Sequence, residues 1–255
     1  MFVTDHFASL GYPQMILEFE KCYFPYFLQG KKRYAGLKYE PSGGKMMQCK
    51  GIDCKGIETE RKDTLPFVKD IMHGCLDALM YQKDEQLALE FFHSKMRDFV
   101  NGQVEFDKFI MKKNLSAKAE KKPDQLVQAH VNALRRAREP GSESSINEQV
   151  EYVIINGHKK EKTTQLAEDP KYAKSKGLKL NLLWYFEHAI REPVKKIFDV
   201  FETIDFNRIC KDYSAELNSK RLGVSNMLRE MMMAGSTSQD ISTDSLPPRK
   251  RYKHM

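Results

Sequence analysis

Lys31, Lys32 and Arg33 stand in succession in the stretch QGKKRYAGLKYE (29–40), and Tyr34 follows directly behind them. Lys55-Gly56 and Arg61-Lys62 come soon after, and Lys112-Lys113 is a further pair. Contiguous cations bind anions, and a glycine beside a cation lets the backbone come close to a phosphate. The chemistry these residues offer is polyanion binding. Residues 31–62 carry nine Lys/Arg against four Asp/Glu, a net of +5, and residues 112–138 carry eight against two, a net of +6. Together they exceed the +7 of the whole 255-residue chain, so the remainder is net acidic. Lysine runs usually mean a solvated face of mixed charge. Charge concentrated in this way favours a polyanion track, with nucleic acid first and an anionic membrane surface second.

Other chemistries fit less well. Cys22, Cys49, Cys54, Cys75 and Cys210 are five in number and scattered. That is no disulfide framework, and it suits a reduced, intracellular setting. Cys49 and Cys54, with His73 and Cys75 as distant helpers, match no zinc spacing well. His6, His73, His93, His130, His158 and His188 have no ligand-spaced partner. Ser42–Lys45 (SGGK) lacks the spacing and following helix of a phosphate loop, so it reads as a hairpin turn. No apolar run reaches the length of a membrane span, and the N-terminus has no signal-peptide pattern.

The elements that must hold the cations follow from periodicity. MILEFEK (15–21) alternates apolar and acidic residues, the mark of a half-buried strand. YFPYFLQ (23–29) is an aromatic run that Pro25 confines to an edge or a break. RYAGLKYE (33–40) reads as a strand, PSGGK (41–45) as a turn and MMQCKGIDCKGIE (46–58) as the return strand. From Thr64 the period changes. Phe67/Val68, Ile71/Met72, Cys75/Leu76 and Leu79/Met80 recur every four residues and predict a helix with one broad buried face. DEQLALEFFHSKMRDFV (84–100) predicts a second helix, ending at Asn101-Gly102, and Asp124–Ala137 a third. EYVIING (151–157) predicts a short strand. NLLWYFEHAIREPVKKIFDVF (181–201) predicts a long amphipathic helix capped by Asn181 and kinked or interrupted by Pro193. Trp184 and Tyr185 fall on its packing face. After about Phe206 the apolar pattern fades into a Ser/Thr-rich tail that reads as disordered. Its basic end, PPRKRYK (247–253), reads equally as a nuclear-localisation or nucleic-acid patch and as a bland basic terminus.

At these residues the sequence resembles a known family. LEFEKCYFPYFLQGKKRYAGLKY is similar to the block that joins palm to thumb in family B DNA polymerases of the delta type. CKGIETERKDTLPFVKDIM resembles the block that follows it, and FIMKKNLSAKA a thumb segment with a lysine pair. INEQVEYVIING and LLWYFEHAIREPVKKIFDVF resemble the late thumb strand and its helix. Order and spacing hold over roughly residues 12–205. The resemblance implies an α+β fold: the end of an antiparallel palm sheet (1–62), a mainly helical thumb (63–205), and a helical to disordered tail (206–255). It implies that Lys31, Lys32, Arg33 and Tyr34 follow the minor groove near the primer end. It also implies that Lys55, Gly56, Arg61 and Lys62 approach the primer or template backbone, and that Lys112 and Lys113 contact phosphates. A lysine in the minor groove meets acceptors on every base pair, so it tests pairing without reading sequence.

The family's catalytic aspartate motifs, D-x-x-S-L-Y-P-S and Y-G-D-T-D-S, are absent from this sequence, as is its nucleotide-binding motif K-x-x-x-N-S-x-Y-G. Two-metal nucleotidyl transfer needs those carboxylates. The resemblance therefore implies a DNA-directed DNA polymerase part that is inactive alone. Its Mg2+ would be held mainly by a partner carrying exonuclease, fingers and catalytic palm, with none bound by this chain alone. Glu18 and Glu20 are weak accessory metal candidates, and a structural role is at least as plausible for either. The expected partners are primer–template DNA and that N-terminal polymerase portion, and no membrane. The expected setting is the nucleus or a viral replication site. The chain would be a split subunit or a truncated reading frame, and its wording would suit a large DNA virus. The alternative is a stand-alone, sequence-neutral duplex-binding protein derived from a polymerase thumb.

Overall fold

A computed structural model describes residues 2–43, 47–59, 61, 63–114, 132, 149–157 and 162–221. Lys62, Gly44 and Lys45 of the PSGGK turn, His130, His158, the tail beyond residue 221 and all of the 124–137 helix except Asn132 lie outside the described residues.

The structure is α+β. A short helix α1 (Phe2–Ser9) buries none of its side chains. The expected strand at 15–21 is not formed: these residues are irregular and exposed, and the first strand begins at Cys22. Alternation states which face a strand would bury. It cannot supply the neighbour that must take its backbone hydrogen bonds, and no described residues pair with this segment.

The first sheet is antiparallel, in the order β1 (Cys22–Gly30), β2 (Arg33–Pro41), β3 (Met47–Lys55). Pro25 lies in β1, an edge strand, where its missing N–H costs no ladder bond. One extra residue between Tyr23 and Tyr26 breaks the β1–β2 register there. The inner face of the sheet, including Phe27 and Ala35, joins a core shared with the helices.

Helix α2 (Pro66–Asp77) starts with proline in its first turn and continues as a π turn, Ala78–Gln82. All eight residues of the four apolar doublets are buried. Asp84 caps α3 (Glu85–Val100), accepting from the backbone N–H groups of Gln86 and Leu87 at 2.9 and 3.0 Å. Phe67 stacks on Phe99 with ring centroids 5.5 Å apart, which locks the two helices together.

A second small antiparallel sheet is β4 (Met111–Asn114), β5 (Gln149–Ile154) and β6 (Ala167–Glu168). It is followed by α4 (Pro170–Ser175), α5 (Leu182–Tyr185), α6 (Arg191–Phe198) and α7 (Phe206–Arg221). Asn181 caps α5 as expected, its Oδ1 accepting from the Trp184 N–H at 3.1 Å. The buried Tyr185 hydroxyl donates to the Phe109 carbonyl and accepts from the Ile154 N–H, both at 2.9 Å, and so pins α5 to β5.

The Pro193 interruption takes a different form from a break. A π turn, Phe186–Ile190, precedes α6, and Pro193 sits in the first turn of α6. Proline cannot donate to the carbonyl four residues back, and a widened turn just before it is one way a helix accommodates that loss. Nor does the fading pattern after Phe206 end the helical packing: α7 buries Phe206, Cys210 and Leu217.

Candidate nucleic-acid interface

Gly30 pairs with Arg33, so Lys31 and Lys32 are the two-residue turn between β1 and β2. The cations therefore cap a hairpin tip rather than enter a strand. All three, Lys31, Lys32 and Arg33, are exposed, and Tyr34 is half-buried behind them. Lys32 has φ +63, a left-handed conformation usually left to glycine or asparagine. The β2–β3 register sets Lys55 directly opposite Tyr34. Gly56 follows at φ +67, and a Cβ there would lie 2.2 Å from the Lys32 carbonyl oxygen. Thus Lys31, Lys32, Arg33, Tyr34, Lys55 and Gly56 share one end of the sheet. Gly56 is required by its own neighbours: it lets the end of β3 pack onto the Lys31–Lys32 turn.

Residues paired across an antiparallel ladder share a face. The face opposite the core therefore carries Tyr26 and Leu28 of β1, Tyr34, Gly36 and Lys38 of β2, and Asp53 and Lys55 of β3. The extra residue in β1 returns Tyr23 to this same face. The rings of Tyr23, Tyr26 and Tyr34 contact one another, with centroids 5.5–5.7 Å apart. The Tyr23 hydroxyl donates to Asp53 Oδ2 at 2.5 Å. Burial, then that bond, raises the Tyr23 phenol well above its ordinary range, so it remains a donor.

A second group forms where the sheet passes into the helices. Arg61 donates to Asp63 through two nitrogens, at 3.1 and 2.9 Å. Its hydrogen bonds hold the Asp63 carboxyl below the usual carboxylate range, and Lys113 adds to the effect through its charge. Lys112 is paired instead with Glu151 at 2.7 Å. The expected contacts thus divide. Among the described residues the cations of the hairpin tip have no acidic partner, whereas Arg61 and Lys112 each carry one.

Glu18 and Glu20 lie on the exposed irregular segment, and Glu20 pairs with Lys21 at 3.1 Å. Among the described residues no three His, Cys, Asp or Glu side chains converge as a metal site. Burial pushes the Cys75 and Cys210 thiols up to about 12 and about 11, so both stay protonated within the core.

Sequence reading missed two features. The Tyr23–Asp53 bond joins residues 30 positions apart. Glu58 is buried just past the first sheet and accepts from Lys196 Nζ of α6 at 2.8 Å. Glu58 shares its stretch with the cations but faces the core.

Residues 3–201 match the model of DNA polymerase family B, and the chain belongs to that family. It is 34% identical over 190 residues to a DNA polymerase delta catalytic subunit of Caenorhabditis elegans, covering 73% of this chain and 17% of that protein. A DNA polymerase of Acanthamoeba polyphaga mimivirus is 30% identical over 226 residues, covering 86% of this chain and 13% of the relative. The delta catalytic subunit of Drosophila melanogaster is 34% identical, covering 72% and 16%. The chain thus spans less than a fifth of the length of these relatives. The structure of the family B DNA polymerase from the archaeon Pyrobaculum calidifontis superposes with a TM-score of 0.55 at 19% identity, covering 80% of this chain and 25% of that one. That likeness bears on the fold.

Proposed function

We propose that this chain is the duplex-gripping part of a family B DNA-directed DNA polymerase. Residues 1–62 are the end of the palm and residues 63–205 the thumb, with α7 packed against the thumb helices. The observation that carries the reading is the hairpin tip, where Lys31, Lys32 and Arg33 meet Lys55 beside a half-buried tyrosine with no acidic side chain bonded to them among the described contacts. Family membership supplies the ligand class: primer–template DNA, held through minor-groove acceptors and phosphates without regard to sequence. A strained non-glycine residue at the tip supports a functional demand, since φ +63 at Lys32 costs stability that glycine would not. Lys113 extends the track toward the helices, where Arg61 is held by Asp63. Nucleotidyl transfer, its nucleotide and its Mg2+ belong to a partner portion bearing the aspartates. The site of action is that of replication, in the nucleus or at a viral replication site. No described helix is long and apolar enough to cross a membrane.

The test is primer extension by the catalytic portion with and without this chain, together with duplex binding by Lys32→Gly. Glycine suits the turn, so the variant's thermal midpoint should match or exceed that of the parent. Affinity for a primer–template should fall about tenfold or more, the loss of one charge-assisted contact, and binding should weaken steeply with salt. Duplex binding with extension indifferent to the chain would instead favour a stand-alone duplex-binding protein. Unchanged binding in Lys32→Gly, with a flat salt profile, would overturn the assignment.

A further inference from the structure

The outer face of the first sheet holds an acid where a polyanion-binding surface should avoid one. Asp53 lies on β3 between Lys55 and the bulged end of the strand, on the face that carries Tyr34, Lys38 and Lys55. A carboxylate there repels phosphate. Its contacts account for its presence. Asp53 stands beside Gly36 of the central strand, and Gly36 pairs on its other side with Tyr26 of the edge strand. A Cβ at Gly36 would meet Tyr23 and Tyr26 ring carbons at 3.0 and 3.1 Å, so both rings roof the glycine. Because the central strand has no side chain there, Asp53 reaches across it and takes the Tyr23 hydroxyl at 2.5 Å. Tyr23 packs edge-on against Tyr34 with centroids 5.7 Å apart, and Tyr26 packs against Tyr34 at 5.5 Å.

We infer that Asp53 is a positioning residue for the duplex-contacting tip, acting through Tyr23 and Tyr34. The bond ties the edge strand β1 to β3 across β2. Both strands that lead into the Lys31–Lys32 turn are thereby fixed relative to Lys55. The tyrosine trio transmits the constraint, since Tyr34 is the residue next to Arg33 and opposite Lys55. The inference deepens the duplex-binding reading and rests on it.

The test uses the full chain and a fluorescein-labelled primer–template duplex. Tyr23→Phe keeps the ring and removes the bond. Asp53→Asn removes the charge but keeps an oxygen that accepts from the hydroxyl. Tyr23→Phe should weaken binding about fivefold, as expected for a lost positioning hydrogen bond. The loss should appear as faster dissociation, with association rate and salt slope unchanged, because the cations that steer the duplex are all still present. Asp53→Asn should stay within about twofold of the parent, and Asp53→Ala should match Tyr23→Phe, with the double variant no worse than either. A fall in thermal midpoint with duplex dissociation unchanged in Tyr23→Phe would make the bond structural only and overturn the inference. So would tighter binding by Asp53→Asn and Asp53→Ala alike, which would mark Asp53 as a bare repulsive charge. Lys32→Gly separates the two readings. If it binds as the parent does and the salt profile is flat, the duplex-binding assignment has failed; if it alone is weakened, only the role of Asp53 has.

Discussion

His93 on α3 is half-buried, and its Nδ1 lies 2.7 Å from the Tyr213 hydroxyl of α7. Burial lifts the Tyr213 phenol to about 12, so the hydroxyl keeps its proton, and the direction of its hydrogen bond with the neutral imidazole follows the tautomer. Burial, then the nearby Arg97 charge, lowers the His93 pKa below its ordinary 6.5. The unfolded chain, with an ordinary histidine, therefore takes up a proton at a pH where the folded chain does not. Stability from this site is full above about 6.5, falls as the pH drops below that value, and stops falling once the folded imidazole is itself protonated. Urea midpoints measured from pH 7.5 down to 5.5 should decline, and His93→Gln should flatten that part of the profile. A slope identical in the two proteins would place the acid sensitivity elsewhere. The same contact shows why α7 belongs to the packed structure, because it delivers the hydroxyl that satisfies α3.

At the scale of elements, the join between the first sheet and the helices is the point to probe. Gly56→Ala places a methyl against the Lys32 carbonyl at a position with φ +67, so both a left-handed alanine and a clash must be absorbed. The variant should lose about 2 kcal/mol or more of stability. It should lose duplex affinity as well, because the tip that Gly56 supports moves with it. Lys32→Gly, by contrast, should weaken binding while leaving the thermal midpoint in place. Lys196→Ala removes the counter-charge from Glu58, whose second oxygen has no hydrogen-bond partner among the described residues. That should cost about 1–3 kcal/mol by urea unfolding, and adding Glu58→Gln should recover part of it, since a neutral amide replaces an unpaired charge. Periodicity made the helical elements legible: the doublets of α2 state its buried face, and Asn181 announces a cap. It could not reveal the π turns, because one widened turn barely disturbs a helical repeat, nor the missing pairing partner of residues 15–21. The cations were legible as charge, but their convergence was not. Lys55 meets Tyr34, and Asp53 meets Tyr23, only through strand register, which the sequence between them does not encode locally.

At the scale of the whole molecule, two stretches of the described surface are strongly apolar. Large apolar side chains are exposed along residues 12–19, where Ile16 is 65% accessible, and on the edge strand β1, where Phe24 and Leu28 are 66% and 59% accessible. Phe24 has the Lys83 ammonium 4.7 Å from its ring centre, which shields one side of it. A cleft of about 500 Å3 opens beside β1, lined by Phe24, Tyr26, Leu28, Leu79, Met80 and Phe201 among others. An edge strand whose outer groups pair with no described residue, next to apolar surface of this extent, is a template for association with another chain. Sedimentation of the isolated chain should therefore show an average mass that rises with concentration. A single cation on the edge strand opposes strand addition, so Leu28→Lys should keep the chain monomeric over the same range. Salt separates this from association through the basic tip. Apolar and backbone contacts persist or strengthen as salt is raised, whereas contacts made by Lys31, Lys32 and Arg33 weaken. A parent chain that stays monomeric at every concentration would show that the exposed edge is protected by the molecule itself.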